Sequence, residues 1–409
     1  MALRVACILM AFHVASPAPA GLNVRLSSAL AREALAAGET AAAAAAAAAA
    51  SAWPQTLVPL TSPALRVAGD TPPRGLFDPS VLLQPARQPP LLSYSAVAAT
   101  DDISTHIAAW DAAAAGWARV GAVNAPQLNA TLPCAGGAPC VGSLIHEVST
   151  LVAAPSGGLR CFAHSYVVTG GDTLHYDWGH ISLWSAVSAA GPWSGGPLLG
   201  WAGASPLSTS GVAQVLTDEP ALRDCLIFTE PGAAADPADA SRTLLALGCV
   251  AAGAPASTIR IVLLASTDAA ARQWAYLGVL VDGAADAARL GYAVPQLNAA
   301  DLFAAPPGAP GGPGLLLSVS PTAQIFPALA GYAGCLVLQL DAGGGGGGGA
   351  GVRRNASGAP IVLRQIAPAE PAFAGACTAA PGAPGGYLLP VLQTLGAFFS
   401  IRESGQQPV

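Results

Sequence analysis

A chain of 409 residues with a formal net charge of −6 is long enough for two or three domains and for a full apolar core. Only 10 % of its residues are charged and every basic one is arginine, so it lacks the basic stripe of a nucleic-acid-binding protein. The mean hydropathy of +0.50 comes mostly from alanine. Past the N-terminus the one long apolar run, Ala41 to Ala50, is shorter than the roughly 20 residues of a membrane span.

The first twenty residues read as a secretory signal peptide. Arg4 supplies the positive start, Val5 to Ala15 the apolar centre, and Ala18-Pro19-Ala20 the small residues of a cleavage site before Gly21. A buried first helix is the other reading. Residues 21–53 form an alanine-rich, low-complexity leader with no apolar face to bury. Residues 54–409 then form the folded unit. Their 47 glycines and 36 prolines, counted over the whole chain, cluster between short apolar runs, which is the punctuation of an all-β fold. The uninterrupted run Gly343 to Gly349 reads as a flexible loop between strands.

Three segments open alike: Asp78-Pro79-Ser80-Val81-Leu82, Glu147-Val148-Ser149-Thr150-Leu151 and Glu219-Pro220-Ala221-Leu222. After each acid and its apolar run comes a turn and a second apolar strand, at Leu91 to Ala96, Leu159 to Val167 and Asp224 to Phe228. Further second strands appear at Gly314 to Val319 and Tyr387 to Leu392. Asp111 precedes Trp117, and Asp268 precedes Trp274, by the same six residues, with Gly121 and Gly278 four positions further on. An Asp closing a turn through its side chain, followed by a Trp that starts the next strand, makes a strand-turn-strand corner. The unit is therefore about four strands long and recurs about every 70 residues, which predicts a five-bladed β-propeller of four-stranded antiparallel blades. The blades fall at about 77–125, 145–205, 217–290, 299–370 and 373–405, and residues 55–67 are expected to supply the strand that the last blade lacks. A pair of β-sandwiches is the alternative architecture.

With Cys7 lost in the signal peptide, seven cysteines remain. Cys134 and Cys140 bracket a Gly/Pro loop and are the first disulfide candidates; Cys225 with Cys249 and Cys335 with Cys377 are strand-to-strand candidates, leaving Cys161 over. All seven as reduced, buried, small apolar residues is the other reading. Asn129-Ala130-Thr131 and Asn355-Ala356-Ser357 are glycosylation sequons, and with the disulfides they point to a secreted, extracellular protein.

In a propeller the innermost strands line a central channel. Asp78, Glu147 and Glu219 each open the first strand of a unit, so three carboxylates are expected to converge there. Glycosidic bond hydrolysis commonly uses two carboxyl groups flanking the bond, and a third nearby keeps the acid protonated. Asp218, beside Glu219, is a rival for its role. Four of the six histidines lie between His146 and His180, without the spacing of a metal motif. His106, His146, His164 and Tyr166 are candidate polar contacts to a ligand at the channel mouth. Trp178, within Tyr176-Asp177-Trp178-Gly179, is the candidate for stacking on a sugar ring.

Asp78-Pro79-Ser80 with Tyr94-Ser95-Ala96, His106-Ile107-Ala108 followed by Asp111 and Trp117, and Ile181-Ser182-Leu183 with Gly191-Pro192-Trp193 resemble the five-bladed β-propeller glycosidases of the arabinanase and β-xylosidase kind. The resemblance covers about residues 77–280. It implies Asp78 as general base, Glu219 as general acid and Glu147 as the third carboxylate, where the family has an Asp; the family's acid precedes Gly, here Pro220. It implies a carbohydrate partner and, in place of any organic cofactor, a calcium or sodium ion in the channel. A non-catalytic glycan-binding or structural propeller is the alternative function.

Overall fold

The computed structural model describes residues 24–25 and 53–404, other than 62–63, 85–87, 252–257, 293–295, 306–313, 323–331, 342–350, 371, 381–385 and 395–397. The segment expected to be a signal peptide, nearly all of the alanine-rich leader and the glycine run lie outside the described residues. The chain folds into five small, mainly antiparallel sheets arranged as a ring, a five-bladed β-propeller. Blade 1 comprises Leu76–Leu82, Leu91–Ala99, Asp102–Asp111 and Gly116–Ala122. Blade 2 comprises Pro139–Ala153, Leu159–Thr169, Thr173–Ala186 and Ser194–Gly200, with Gln127–Pro133 added to its first strand. Blade 3 comprises Cys225–Asp236, Asp239–Ala251, Thr258–Ser266 and Trp274–Asp282. Blade 4 comprises Gln296–Ala304, Leu315–Thr322, Cys335–Asp341 and Val362–Pro368. In blade 5 the first strand is broken into Phe373–Ala374 and Thr378–Ala379, both paired with Tyr387–Thr394, which also pairs with Phe398–Glu403.

The two Asp-to-Trp corners form as their chemistry requires. Asp111 Oδ1 accepts from Ala113 and Ala114 N–H at 2.9 and 3.2 Å, and Asp268 Oδ1 from Arg272 and Gln273 N–H at 2.8 and 2.9 Å. Trp117 and Trp274 then enter the apolar layers between sheets, where Trp274 meets Phe162 edge-on at 5.7 Å and Trp201 meets Phe228 at 5.8 Å.

Two expectations are corrected. Residues 55–67 do not form the missing strand of blade 5. Gln55–Val58 lies parallel to Val362–Pro368 of blade 4, and Val67–Ala68 parallel to Gly116–Ala122 of blade 1. The segment's backbone contacts with blade 5 among the described residues are a bridge from Ala64 to Arg402 and an N–H···O bond from Leu65 to Ile401 of 2.7 Å. The segment runs around the rim because the outer strands of blades 4 and 1 both offer unpaired edges that it can cover. The phase of blade 3 also moves by one strand: Asp224 to Phe228, expected in its second strand, begins its first. Residues 216–222 instead make two short 3-10 turns.

All three disulfides pair as expected, Cys134–Cys140, Cys225–Cys249 and Cys335–Cys377, and Cys161 is buried and free. Among the described residues no helix is long and apolar enough to cross a membrane.

Candidate active site

The first strands of the five blades pack against one another around the axis. Each carries a residue with left-handed backbone: Asp78 (φ 46°), Val148 (φ 49°), Glu230 (φ 53°), Ala299 (φ 55°) and Ala376 (φ 57°). In blades 1 to 4 the ladder slips at these points, at 77–80, 147–149, 229–232 and 298–301, as a β-bulge requires. Left-handed backbone at a non-glycine residue costs on the order of 1–3 kcal/mol. Five such residues in one ring mark a place where the fold bends its strands to aim side chains.

Two residues beyond each bulge stand Ser80, Thr150, Gly232, Asp301 and Thr378, and these form a belt around the channel. Ser80 Oγ is hydrogen-bonded to Thr150 Oγ1 at 3.1 Å and donates to Asp301 Oδ1 at 3.0 Å. Thr378 also hydrogen-bonds to Asp301, and Thr378 Oγ1 accepts Val81 N–H at 3.1 Å. Thr150 Oγ1 accepts Ala233 N–H at 3.1 Å. Burial pushes the Asp301 carboxyl up to about 6, opposed by these donors.

Above the belt lies a small cleft lined by Asp78, Glu230, Asp301, Ser80, Val148 and Ala376. Asp78 and Glu230 are themselves the left-handed residues of blades 1 and 3. Glu147 precedes the one in blade 2 and interacts electrostatically with both. Burial raises all three carboxyls, and mutual repulsion raises Asp78 and Glu230 further. Glu147 is brought to about 7 and Glu230 to about 8. Each has a hydroxyl donor that favours its ionised form. Ser95 Oγ donates to Asp78 Oδ2 at 3.1 Å, Tyr166 O–H to Glu147 Oε1 at 2.7 Å, and Tyr332 O–H to Glu230 Oε1 at 3.3 Å. Asp78 has a second donor, the Val148 N–H. Of the three hydroxyl bonds the one to Glu230 is the longest and the one to Glu147 the shortest.

Of the acids singled out in the sequence, Asp78 and Glu147 come together and Glu219 does not. Glu219 caps the 3-10 turn Pro220–Leu222, with Oε1 accepting Ala221 N–H at 3.3 Å, and Glu230 stands in the position expected of it. Asp218 belongs to the neighbouring turn. The missed signal is the phrase Glu230-Pro231-Gly232, which repeats the acid-Pro-small pattern of Asp78-Pro79-Ser80.

Tyr166 reaches the cluster, but the other expected ligand contacts are interior. His164 is fully buried, its Nδ1 3.1 Å from Thr229 Oγ1. His146 lies inside blade 2, with Nδ1 2.8 Å from Ser165 Oγ and its ring edge-on to Trp184. His106 is held in the outer part of blade 1, Nδ1 2.5 Å from Asp70 Oδ2. Trp178 is in a strand, not a turn, stacked on His175 at 3.6 Å and packed near the Cys134–Cys140 loop. Histidine and tryptophan serve here as filling between sheets, where burial of their rings outweighs a polar atom left without a partner among the described residues, His164 Nε2 or Trp178 Nε1. Among the described residues no three His, Cys, Asp or Glu side chains are arranged to hold a metal ion. Both sequon asparagines, Asn129 and Asn355, are exposed.

No family model matches the sequence, and no curated protein does. Solved structures of similar fold include a glycoside hydrolase family 32 protein from Bifidobacterium adolescentis (11 % identity, TM-score 0.47, 83 % of this chain and 56 % of that one). A family 117 glycoside hydrolase from the marine bacterium Zobellia galactanivorans matches at 11 % identity and TM-score 0.45, over 85 % of this chain and 90 % of that one. An α-L-arabinanase from Penicillium chrysogenum, complexed with arabinobiose, matches at 11 % identity and TM-score 0.39, over 80 % and 76 %. The chain thus spans little more than half the length of the Bifidobacterium protein. At such identities the likeness is one of fold alone.

Proposed function

We propose that this chain is a secreted glycoside hydrolase in which Glu230 is the general acid, Asp78 the general base and Glu147 the third carboxylate that tunes the pair. The observation that carries the reading is the convergence of Asp78 and Glu230, from the first strands of blades 1 and 3, on one cleft, with Glu147 of blade 2 interacting electrostatically with both. A carboxyl held near 8 is protonated at neutral pH and has a proton for a departing glycosidic oxygen. Asp78 is raised too, but interacting carboxyls this close do not all hold or all lose their protons together, and the Ser95 hydroxyl at 3.1 Å favours the ionised form of Asp78 that receives a proton from water. Three disulfides accord with an oxidising compartment, and Asn129 and Asn355 would carry glycans there.

The test is hydrolysis of a panel of chromogenic aryl glycosides and unmodified oligosaccharides. Asp78→Asn and Glu230→Gln are expected to lower kcat by about a hundredfold or more, while Glu219→Gln leaves it unchanged. Loss of activity in Glu219→Gln with retention in Glu230→Gln overturns the assignment. The second reading, a non-catalytic carbohydrate-binding propeller, is favoured by the donors already engaging Asp78, which hold it as a fixed polar wall. Saturable sugar binding without turnover across the panel would select it.

A further inference from the structure

Tyr332 comes from blade 4, yet its hydroxyl meets the acid of blade 3. It bridges to Thr322 of its own blade, and the next residue, Ala333, bridges to Ala374 of blade 5. Its phenol is seated from three sides. Phe373 packs edge-on against the ring at 5.3 Å. Gly375 lies so close that a Cβ there would stand 2.5 Å from Tyr332 Cβ and 2.7 Å from Cγ, so only glycine leaves room for the ring. Asn298, on the first strand of blade 4, donates Nδ2–H to the phenolic oxygen at 3.3 Å. With its oxygen occupied as an acceptor, the phenol's own hydrogen is directed at Glu230 Oε1, 3.3 Å away.

We infer that Tyr332, oriented by Asn298 and admitted by Gly375, is the positioning residue that aims the Glu230 carboxyl and sets how firmly it holds its proton. The inference rests on the reading of Glu230 as the acid for its catalytic consequence, but not for the coupling itself. A hydroxyl donated to a carboxylate stabilises the ionised form, so its removal makes the proton harder to lose. The geometry differs from that of Tyr166 and Glu147, where a 2.7 Å bond holds the acceptor more tightly. The longer bond at Glu230 suits a group that must gain and release a proton in each turnover.

The experiment is a titration of protein carrying ¹³C at the glutamate carboxyls, with the Glu230 signal assigned by its loss in Glu230→Gln. Tyr332→Phe keeps the ring and its packing. It is expected to move the Glu230 titration upward by about half to one pH unit, the worth of one ordinary hydrogen bond. Gly375→Ala, which displaces the ring while leaving the hydroxyl in the chain, is expected to move it the same way. A Glu230 titration unmoved in folded Tyr332→Phe overturns the inference, whether or not the protein hydrolyses any glycoside. Where hydrolysis is found, Tyr332→Phe should lower kcat with little change in KM and carry the alkaline limb of the pH–rate profile to higher pH. An unmoved limb in an active enzyme refutes the positioning role and leaves the glycosidase reading standing. A wild-type protein without turnover refutes that reading and leaves the titration to decide the coupling.

Discussion

A methyl group on Gly232 would lie 2.6 Å from Leu302 N and 2.8 Å from Asp301 Cα, which is backbone that cannot move aside. Glycine is therefore the one belt residue chosen for size; the other four are chosen for hydrogen bonding. Gly232→Ala is expected to destabilise the protein by about 1–3 kcal/mol, read as a lower urea midpoint with an unchanged slope. It should also disturb Glu230, two residues earlier on the same bulge. The same residues show what the sequence makes legible at this scale. Asp78 and Glu147 are recognisable because an acid, a small residue and an apolar run recur in phase. Glu230 is not, because Glu219-Pro220 lies eleven residues before Glu230-Pro231 and fits the repeat spacing better. Spacing counts residues, and two 3-10 turns between 216 and 222 use up residues without advancing a strand. The burial that turns histidines and Trp178 into packing is likewise a property of the assembled sheets, not of their local sequence.

At the scale of elements, the strand-turn-strand corners are the features the sequence states most directly. An aspartate bonding two N–H groups of its own turn is a local interaction, so its pattern survives in the chain. Asp268→Ala removes both bonds at an exposed turn and is expected to cost about 1 kcal/mol, with the propeller intact by circular dichroism. A loss several times larger would mean that the corner also holds Trp274 in the layer between blades 2 and 3. The bulges are harder to read because left-handed backbone falls on Asp, Val, Glu and Ala, none of which announces it as glycine would. Their common purpose appears only when the five first strands are set side by side.

For the whole molecule, two sets of buried groups pull stability in opposite directions with pH. Burial lowers His146 and His164 to about 3 and His180 to about 4. Below about 6.5 the unfolded chain takes up protons that the folded one refuses, so stability falls as pH drops from there toward 4 and 3. Each histidine contributes a slope of up to about 1.4 kcal/mol per pH unit. The carboxyls act conversely. Asp301, Glu147 and Glu230 are raised to about 6, 7 and 8, so their protonated forms suit the fold at low pH. That contribution is lost as pH rises from the ordinary carboxyl range through 8. Melting temperatures measured between pH 3 and 9 are expected to trace a narrow dome with its maximum between about 5 and 7. A plateau extending to pH 9 would contradict the raised carboxyls, and one extending to pH 4 the neutral histidines.

The rim segment has a consequence for the order of events during synthesis. Its Thr56 accepts a hydrogen bond from Arg364, 308 residues later, and Leu60 N–H donates to Glu370, 310 residues later. A ribosome delivers the first of these partners long before the second. Until Val362–Pro368 is made this stretch, with Gln55–Val58 and its exposed Leu57, is an open strand without that neighbour, even after blades 1 to 3 are complete in the chain. Long-range pairing of this kind is slow and leaves edges open to wrong partners. A nascent chain halted before residue 360 therefore has no native partner for Gln55–Val58, and a chaperone that shields that edge until blade 4 emerges would raise the yield of closed rings.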